Sequence, residues 1–252
     1  MADDPVDVLT SVRDGVGRIT LDRPRALNSL SLDMVRALTA TLLAWRDDDQ
    51  VQAVILKSSS EKALCAGGDI RFFYDAGRAT PTGGSALLED FFTEEYALNH
   101  LIHFYPKPYI AIMDGVVMGG GMGIAQGSLR IVTDRTKMAM PEVNIGLFPD
   151  VGGSHFLSRA PGQLGHYLGL TGLTIDAADA LYLGLADLFI PFSQLPALHA
   201  LVEATDGAAL AAALRDFAAP FAGQVGESTL RTQRAAIDAH FGAASVPAVM
   251  DS

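Results

Sequence analysis

The chain has 252 residues, 49% of them hydrophobic, with 29 Asp and Glu against 18 Lys and Arg and a formal net charge of -11. That is apolar material for one sizeable core plus an appended element, and the acidity disfavours nucleic acid or an anionic membrane as partner, since either needs a cationic surface. The one cysteine, Cys65, leaves no intramolecular disulfide framework and no Cys-rich zinc pattern, and fits a reducing compartment.

The first residues, "MADDPVDVLT", have neither the basic, apolar layout of a secretory signal nor the Arg-rich character of a transit peptide, so a cytoplasmic protein is expected. "GRITL" (17–21) reads as a strand, and Pro24 and Asn28 mark the loop after it. Ser31 stands at an N-cap position before "LDMVRALTATLLAW", whose apolar residues keep helical spacing up to Trp45. "VQAVILKSS" (51–59) is a buried strand, "LCAGGDI" (64–70) a glycine-broken turn, and "TPTGGS" (80–85) a mobile loop ahead of a helix over about 86–104. "KPYIAIMDGVV" (107–117) reads as a second buried strand running into "MGGGMGIAQG" (118–127), a glycine-rich turn and a small-residue helix; "SLRIVTD" and "KMAM" are two more short strands. Strands alternating with helices predict an α/β domain over residues 1–191. From 192 to 252 the text changes to Ala-rich helical segments without a recognisable strand, and no long-period repeat is visible. No apolar run reaches the roughly 18 residues of a spanning helix, so no membrane partner is expected.

Several familiar patterns fail. Gly121 and Gly123 meet only the first two positions of a dinucleotide fingerprint, with Gln126 at the third, and no Gly-Lys-Ser/Thr follows. "GGSHF" around Ser154 has Phe156 where a nucleophile elbow needs glycine. His100 and His103 have the spacing of a metal pair but no third ligand, so no metal site is assigned. Cys65, ahead of a turn, reads as a small buried hydrophobe.

Two features of one design remain: a buried strand ending in a glycine turn, at Ala66–Asp69 and again at Gly119–Gly121. Bare backbone lets a ligand approach, and a helix start leaves N–H groups free to bind an anion. Spacing alone favours the plainer reading, that these glycines serve close packing. Downstream, "AMPEVNIGLFPDVGG" (139–153) places Glu142 and Asp150 in an otherwise apolar segment.

"LDRPRALNSLS", "LCAGGDI", "KPYIAIMDGVVMGGGMGIA" and "AMPEVNIGLFPDVGG", in that order between about residues 10 and 191, resemble the successive signatures of the crotonase (enoyl-CoA hydratase/isomerase) superfamily. The resemblance implies a ClpP/crotonase-like spiral of ββα units with a C-terminal helical region, assembled as a homo-oligomer, trimer or hexamer. It implies an acyl-CoA substrate, with coenzyme A as part of the substrate and no separate cofactor. The thioester carbonyl would lie in an oxyanion hole made by the backbone N–H groups of Gly68 and Gly120. Hydratases of this family use two glutamates; here the first of those positions is Gly123 and the second is Glu142. "MPEVNIGLFPDVGG" and "FFTEEYALNH" are most similar to the 3-hydroxyisobutyryl-CoA hydrolases, which implies Glu142 and Asp150 as the catalytic pair and Glu95, Ala66 and Asp69 beside the substrate. Arg25, Ala26 and Lys62, among the cations Arg23, Lys57 and Arg71, are the candidates for binding coenzyme A. Those hydrolases run through further helices beyond the position of Ser252. The expected function is hydrolysis of 3-hydroxyisobutyryl-CoA or a similar 3-hydroxyacyl-CoA, as in valine degradation. The alternatives are an enoyl-CoA hydratase/isomerase working through an enolate and a catalytically silent CoA-ester-binding protein.

Overall fold

An Asp-Gly turn brings the first two strands together. In the computed structural model, which describes residues 6–252, β1 (Val8–Arg13) pairs antiparallel with β2 (Val16–Leu21). Asp14 and Gly15 between them both take positive φ, as a two-residue hairpin turn requires. α1 (Leu32–Arg46) begins where expected, with the Ser31 hydroxyl accepting from the Met34 N–H, and it buries Met34, Val35, Leu38, Leu42 and Trp45.

Three strand pairs then repeat one geometry. β3 (Ala53–Ser58) is followed by β4 (Ala63–Cys65), and later β5 (Tyr109–Met113) by β6 (Val116–Met118) and β7 (Leu129–Val132) by β8 (Lys137–Ala139). The first strand of each pair joins a sheet of order β1-β2-β3-β5-β7-β9, closed by β9 (Leu188–Phe189); the second joins a smaller parallel sheet, β4-β6-β8. The segment "KPYIAIMDGVV" is therefore two strands in two sheets. It breaks at Gly115, whose φ of +72° and contact with the Lys62 carbonyl leave no room for a Cβ.

Helices fill the crossovers: α2 (Ile70–Ala79) and α3 (Ala86–His103) after β4, α4 (Gly120–Ala125) after β6, and α5 (Gly153–Leu157), α6 (Leu164–Thr171) and α7 (Ala177–Tyr182) between β8 and β9. This is a spiral of ββα units in a mixed α/β fold. Alternate residues of β3 face opposite cores: Val54 and Leu56 pack in one cluster with α1 and α3, Ala53 and Ile55 in the other.

Beyond Pro191 the chain is helical: α8 (Leu195–Ala204), α9 (Gly207–Ala218), α10 (Thr229–Phe241) and α11 (Val246–Met250). Leu198, Val202, Leu210 and Leu214 from α8 and α9 cover the outer face of the large sheet, sharing a core with Val16, Ile55 and Ile110. The buried Arg18 guanidinium ties α8 to β2 by donating to the Val202 carbonyl and pairing with Glu203 at 3.1 Å. Buried Asp179 accepts from the Ser228 hydroxyl and the Leu230 N–H, holding the start of α10 against α7. No helix among the described residues is long and apolar enough to cross a membrane.

Candidate active site

Because β4 and β6 are neighbours, with Cys65 opposite Val117, the two glycine turns that follow them lie side by side. Each is glycine for a reason of space. Gly67 has φ of +103°, and a Cβ there would stand 3.1 Å from the Met118 carbonyl; a Cβ on Gly121 would collide with the Cys65 carbonyl. The N–H groups of Gly68 and Gly120 have no acceptor among the described residues, and a Cβ on Gly120 would come within 3.4 Å of the Gly68 nitrogen. Both turns line a cleft of about 200 Å³ whose walls include Phe73, Phe92, Leu147 and Val151.

Three carboxyl groups converge on this cleft: Glu95, Glu142 and Asp150. Glu142 follows Met140–Pro141 at the end of β8 and opens a single 3-10 turn, Glu142–Ile145. Its Oε2 is buried without a partner, and its Oε1 lies over Gly119, where a Cβ would approach within 2.7 Å. Burial, reinforced by Asp150, pushes its pKa up to about 7.

Glu95 occupies the apolar stripe of α3, in line with Phe91, Leu98 and Ile102, and is only 2% exposed. Its neighbour Glu94 faces outward and pairs with Arg36 at 2.6 Å. Glu95 Oε1 lies against Gly120 and has no hydrogen-bond partner. Burial, then the charges of Asp150 and Glu142, push its pKa up to about 8, so it carries its proton near neutrality. Asp150 accepts a hydrogen bond from the Tyr96 hydroxyl at 2.7 Å, and its pKa is raised by burial in spite of that bond. A proton-bearing acid, a half-ionised one and a carboxylate held by a phenol thus face two free N–H groups.

The space at Gly123, where the resemblance puts the first of the two hydratase glutamates, is occupied. A Cβ built on Gly123 would meet Val151 Cβ at 2.6 Å and Asn99 Nδ2 at 2.8 Å. Gly123→Glu is therefore expected to lower stability by about 2 kcal/mol or more through overpacking and to yield no hydration of crotonyl-CoA. Thermal melting and the loss of enoyl absorbance check both; a well-folded variant that hydrates crotonyl-CoA would refute the steric argument.

Of the other residues singled out in the sequence, Ala66 lines the cleft. Asp69 does not: its carboxylate caps α2, accepting from the Arg71 and Phe72 N–H groups, and pairs with Arg23 at 2.8 Å. Arg25 and Ala26 form a 3-10 turn outside the cleft lining, and Arg25 and Lys62 are exposed without an ion pair among the described residues. Cys65 is fully buried and its thiol is pushed up to about 12 by burial, which leaves it unreactive. His103 packs edge-on against Phe104 and His155, and no cluster of three metal-ligating side chains occurs among the described residues. Tyr96, Asn99 and Val151 lie inside the segments that carry the resemblance, but nothing local marks them individually, since each matters through a partner more than twenty residues away.

Residues 16–252 match the enoyl-CoA hydratase/isomerase family. The 3-hydroxyisobutyryl-CoA hydrolase, mitochondrial, of Gallus gallus is 45% identical over 198 residues, which is 78% of this chain and 50% of that protein. A small ribosomal subunit protein, mS47, of Neurospora crassa is 43% identical over 81% of this chain and 40% of its own length. The crystal structure of a carnitinyl-CoA dehydratase from Mycobacterium thermoresistibile superimposes with a TM-score of 0.87 at 44% identity, covering 97% of this chain and 69% of that one. The chain spans about half the length of the curated hydrolase relatives it matches. Their mitochondrial designation overturns the expectation of a cytoplasmic protein. A lone buried thiol and an acidic surface suit a mitochondrial matrix as well as a cytosol, so composition did not separate the two. With this match along nearly its whole length, the chain belongs to the enoyl-CoA hydratase/isomerase family.

Proposed function

We propose that this protein is an acyl-CoA thioester hydrolase acting on 3-hydroxyisobutyryl-CoA or a similar 3-hydroxyacyl-CoA, the chemistry named for its chicken relative. The observation that carries this reading is the grouping of Glu95, Glu142 and Asp150 in one apolar cleft, with the space for the first hydratase glutamate at Gly123 already filled by Val151 and Asn99.

In this reading the thioester carbonyl oxygen accepts from the Gly68 and Gly120 N–H groups, which stabilise the negative charge of the tetrahedral adduct. Ionised Glu142 attacks the carbonyl carbon, the C–S bond breaks and coenzyme A leaves as its thiolate; water then cleaves the resulting anhydride, regenerating the Glu142 carboxylate and releasing the acid, whose proton is the one the thiolate takes up. Alternatively, Glu142 takes a proton from the attacking water. With a pKa of about 7, Glu142 is half ionised near neutrality and basic enough for either task. Glu95 donates its proton as a hydrogen bond to the acyl portion, and Asp150, oriented by Tyr96, positions the 3-hydroxyl or the water. Arg25 and Lys62 supply free cations for the coenzyme A phosphates, with the adenine near Ala26. Coenzyme A enters as part of the substrate, and this chemistry calls for no separate cofactor. The family's trimeric or hexameric assembly and a place in valine breakdown complete the proposal.

The Neurospora relative is named as a small ribosomal subunit protein and not as an enzyme, which keeps a second reading, that of a catalytically silent CoA-ester-binding protein. Following free thiol from 3-hydroxyisobutyryl-CoA, with crotonyl-CoA in parallel, tests both. Thiol release without hydration is the expected result. Binding of the ester with no release would favour the silent protein, and hydration of crotonyl-CoA would return the chain to hydratase chemistry.

A further inference from the structure

Next to the cleft lies a second, larger pocket of about 630 Å³, open to solvent past exposed His100, His103 and His155 and lined also by Asn99, Gly123 and Gln126. Val151 borders both spaces. It is buried, and its side chain lies where any substituent on Gly123 would have to go. Its backbone has φ of +43°, a left-handed conformation that a β-branched residue adopts only when its surroundings hold it there. The next residue is Gly152, with φ of +86°, so a glycine was available one position later for such a turn, yet the valine takes the strained place. Among the described residues, Val151 is the one that lines both spaces. The cleft on one side of it, about 200 Å³, is below the roughly 300 Å³ where pockets for larger ligands begin.

Resting on the hydrolase reading above, we propose that Val151 is the end-stop of the acyl pocket: its isopropyl group, set against Gly123 and Asn99, closes the cleft and restricts the enzyme to short acyl groups. Asp150, next in the chain, is the residue that the hydrolase reading sets on the 3-hydroxyl, so an acyl chain extending past that hydroxyl would meet Val151. The second pocket is the space a longer acyl tail would enter if the wall were lowered.

The test compares wild type, Val151→Ala, Val151→Gly and Val151→Ile. Glycine suits the positive φ and guards against misfolding, and isoleucine retains the wall. The kcat/KM for thiol release from 3-hydroxydecanoyl-CoA is divided by that for 3-hydroxybutanoyl-CoA, and binding of the butyl and decyl thioethers of coenzyme A is measured by calorimetry. A rise of thirtyfold or more in the ratio of long to short chains for the Ala and Gly variants, with no rise for Ile, is expected in both assays. If the short ester is cleaved but neither ratio moves by more than threefold in folded Ala and Gly variants, the end-stop is overturned while the hydrolase reading stands. If no ester is cleaved by any form but the thioether preference shifts as expected, the hydrolase reading fails and the end-stop stands. A wild type that already prefers the decyl ligand overturns the end-stop outright.

Discussion

Glu142→Gln should lower thiol release from 3-hydroxyisobutyryl-CoA by about a thousandfold, the range in which removal of a single acid–base or nucleophilic group falls. Gln is nearly isosteric, and Glu142 Oε2 has no partner to lose, so fold and ester binding are expected to survive. The loss should therefore fall on kcat, with KM within a few fold. The same titration sets the acid limb of the wild-type profile. With its pKa at about 7, the fraction of ionised Glu142 grows as pH rises through that value, and kcat/KM grows with it. A Gln variant retaining a tenth of the wild-type rate would remove Glu142 from the chemistry and leave the direct participation of Asp150 to be tested.

The second large effect concerns Glu95. Its pKa rises from 4.5 in an unfolded chain to about 8 in the fold, so between those values the native state binds the extra proton and stability falls as pH rises. Glu95→Gln removes that liability. At pH 9 the variant should be more stable than wild type by on the order of 2 kcal/mol, or roughly 5 °C in Tm, with little difference at pH 4. Glu142, whose pKa is also raised, pulls the same way and remains in the variant, so the slope is reduced rather than abolished. Activity should answer in parallel: the wild type loses kcat/KM above about pH 8 as Glu95 gives up its proton, and the Gln variant, whose amide cannot ionise, lacks that limb. Because the three carboxyls interact, the limbs belong to the group as a whole. Equal melting temperatures of wild type and variant at pH 9 would show that Glu95 is not the buried acid described here.

Glu95 also shows what a sequence can carry. Its place on the stripe of Phe91, Leu98 and Ile102 is written at intervals of three and four residues, yet with the identical Glu94 beside it nothing in the residue type itself says which of the two faces inward. The glycine turns were legible for a different reason. Their positive φ and close approaches are demands that glycine alone meets, so the need and the residue coincide in the text. The same kind of signal was present at Asp14–Gly15 and Asp114–Gly115 but was overridden by apolar neighbours. As a result β1 went unread and one strand was drawn where β5 and β6 stand. The ββα repeat is a repeat of backbone path with no recurring residues, so it came from family resemblance and not from periodicity. Contacts such as Tyr96 with Asp150 depend on how α3 and the loop after β8 are brought together, which no local pattern encodes.

The two free N–H groups belong to successive turns of the spiral, one after β4 and the other after β6. The strands before them pair Cys65 with Val117, so Gly68 and Gly120, each three residues further on, come out at matching places beside one another. In the reading proposed above, both donors to the substrate oxygen would then be set by the pairing of backbone and by no side chain.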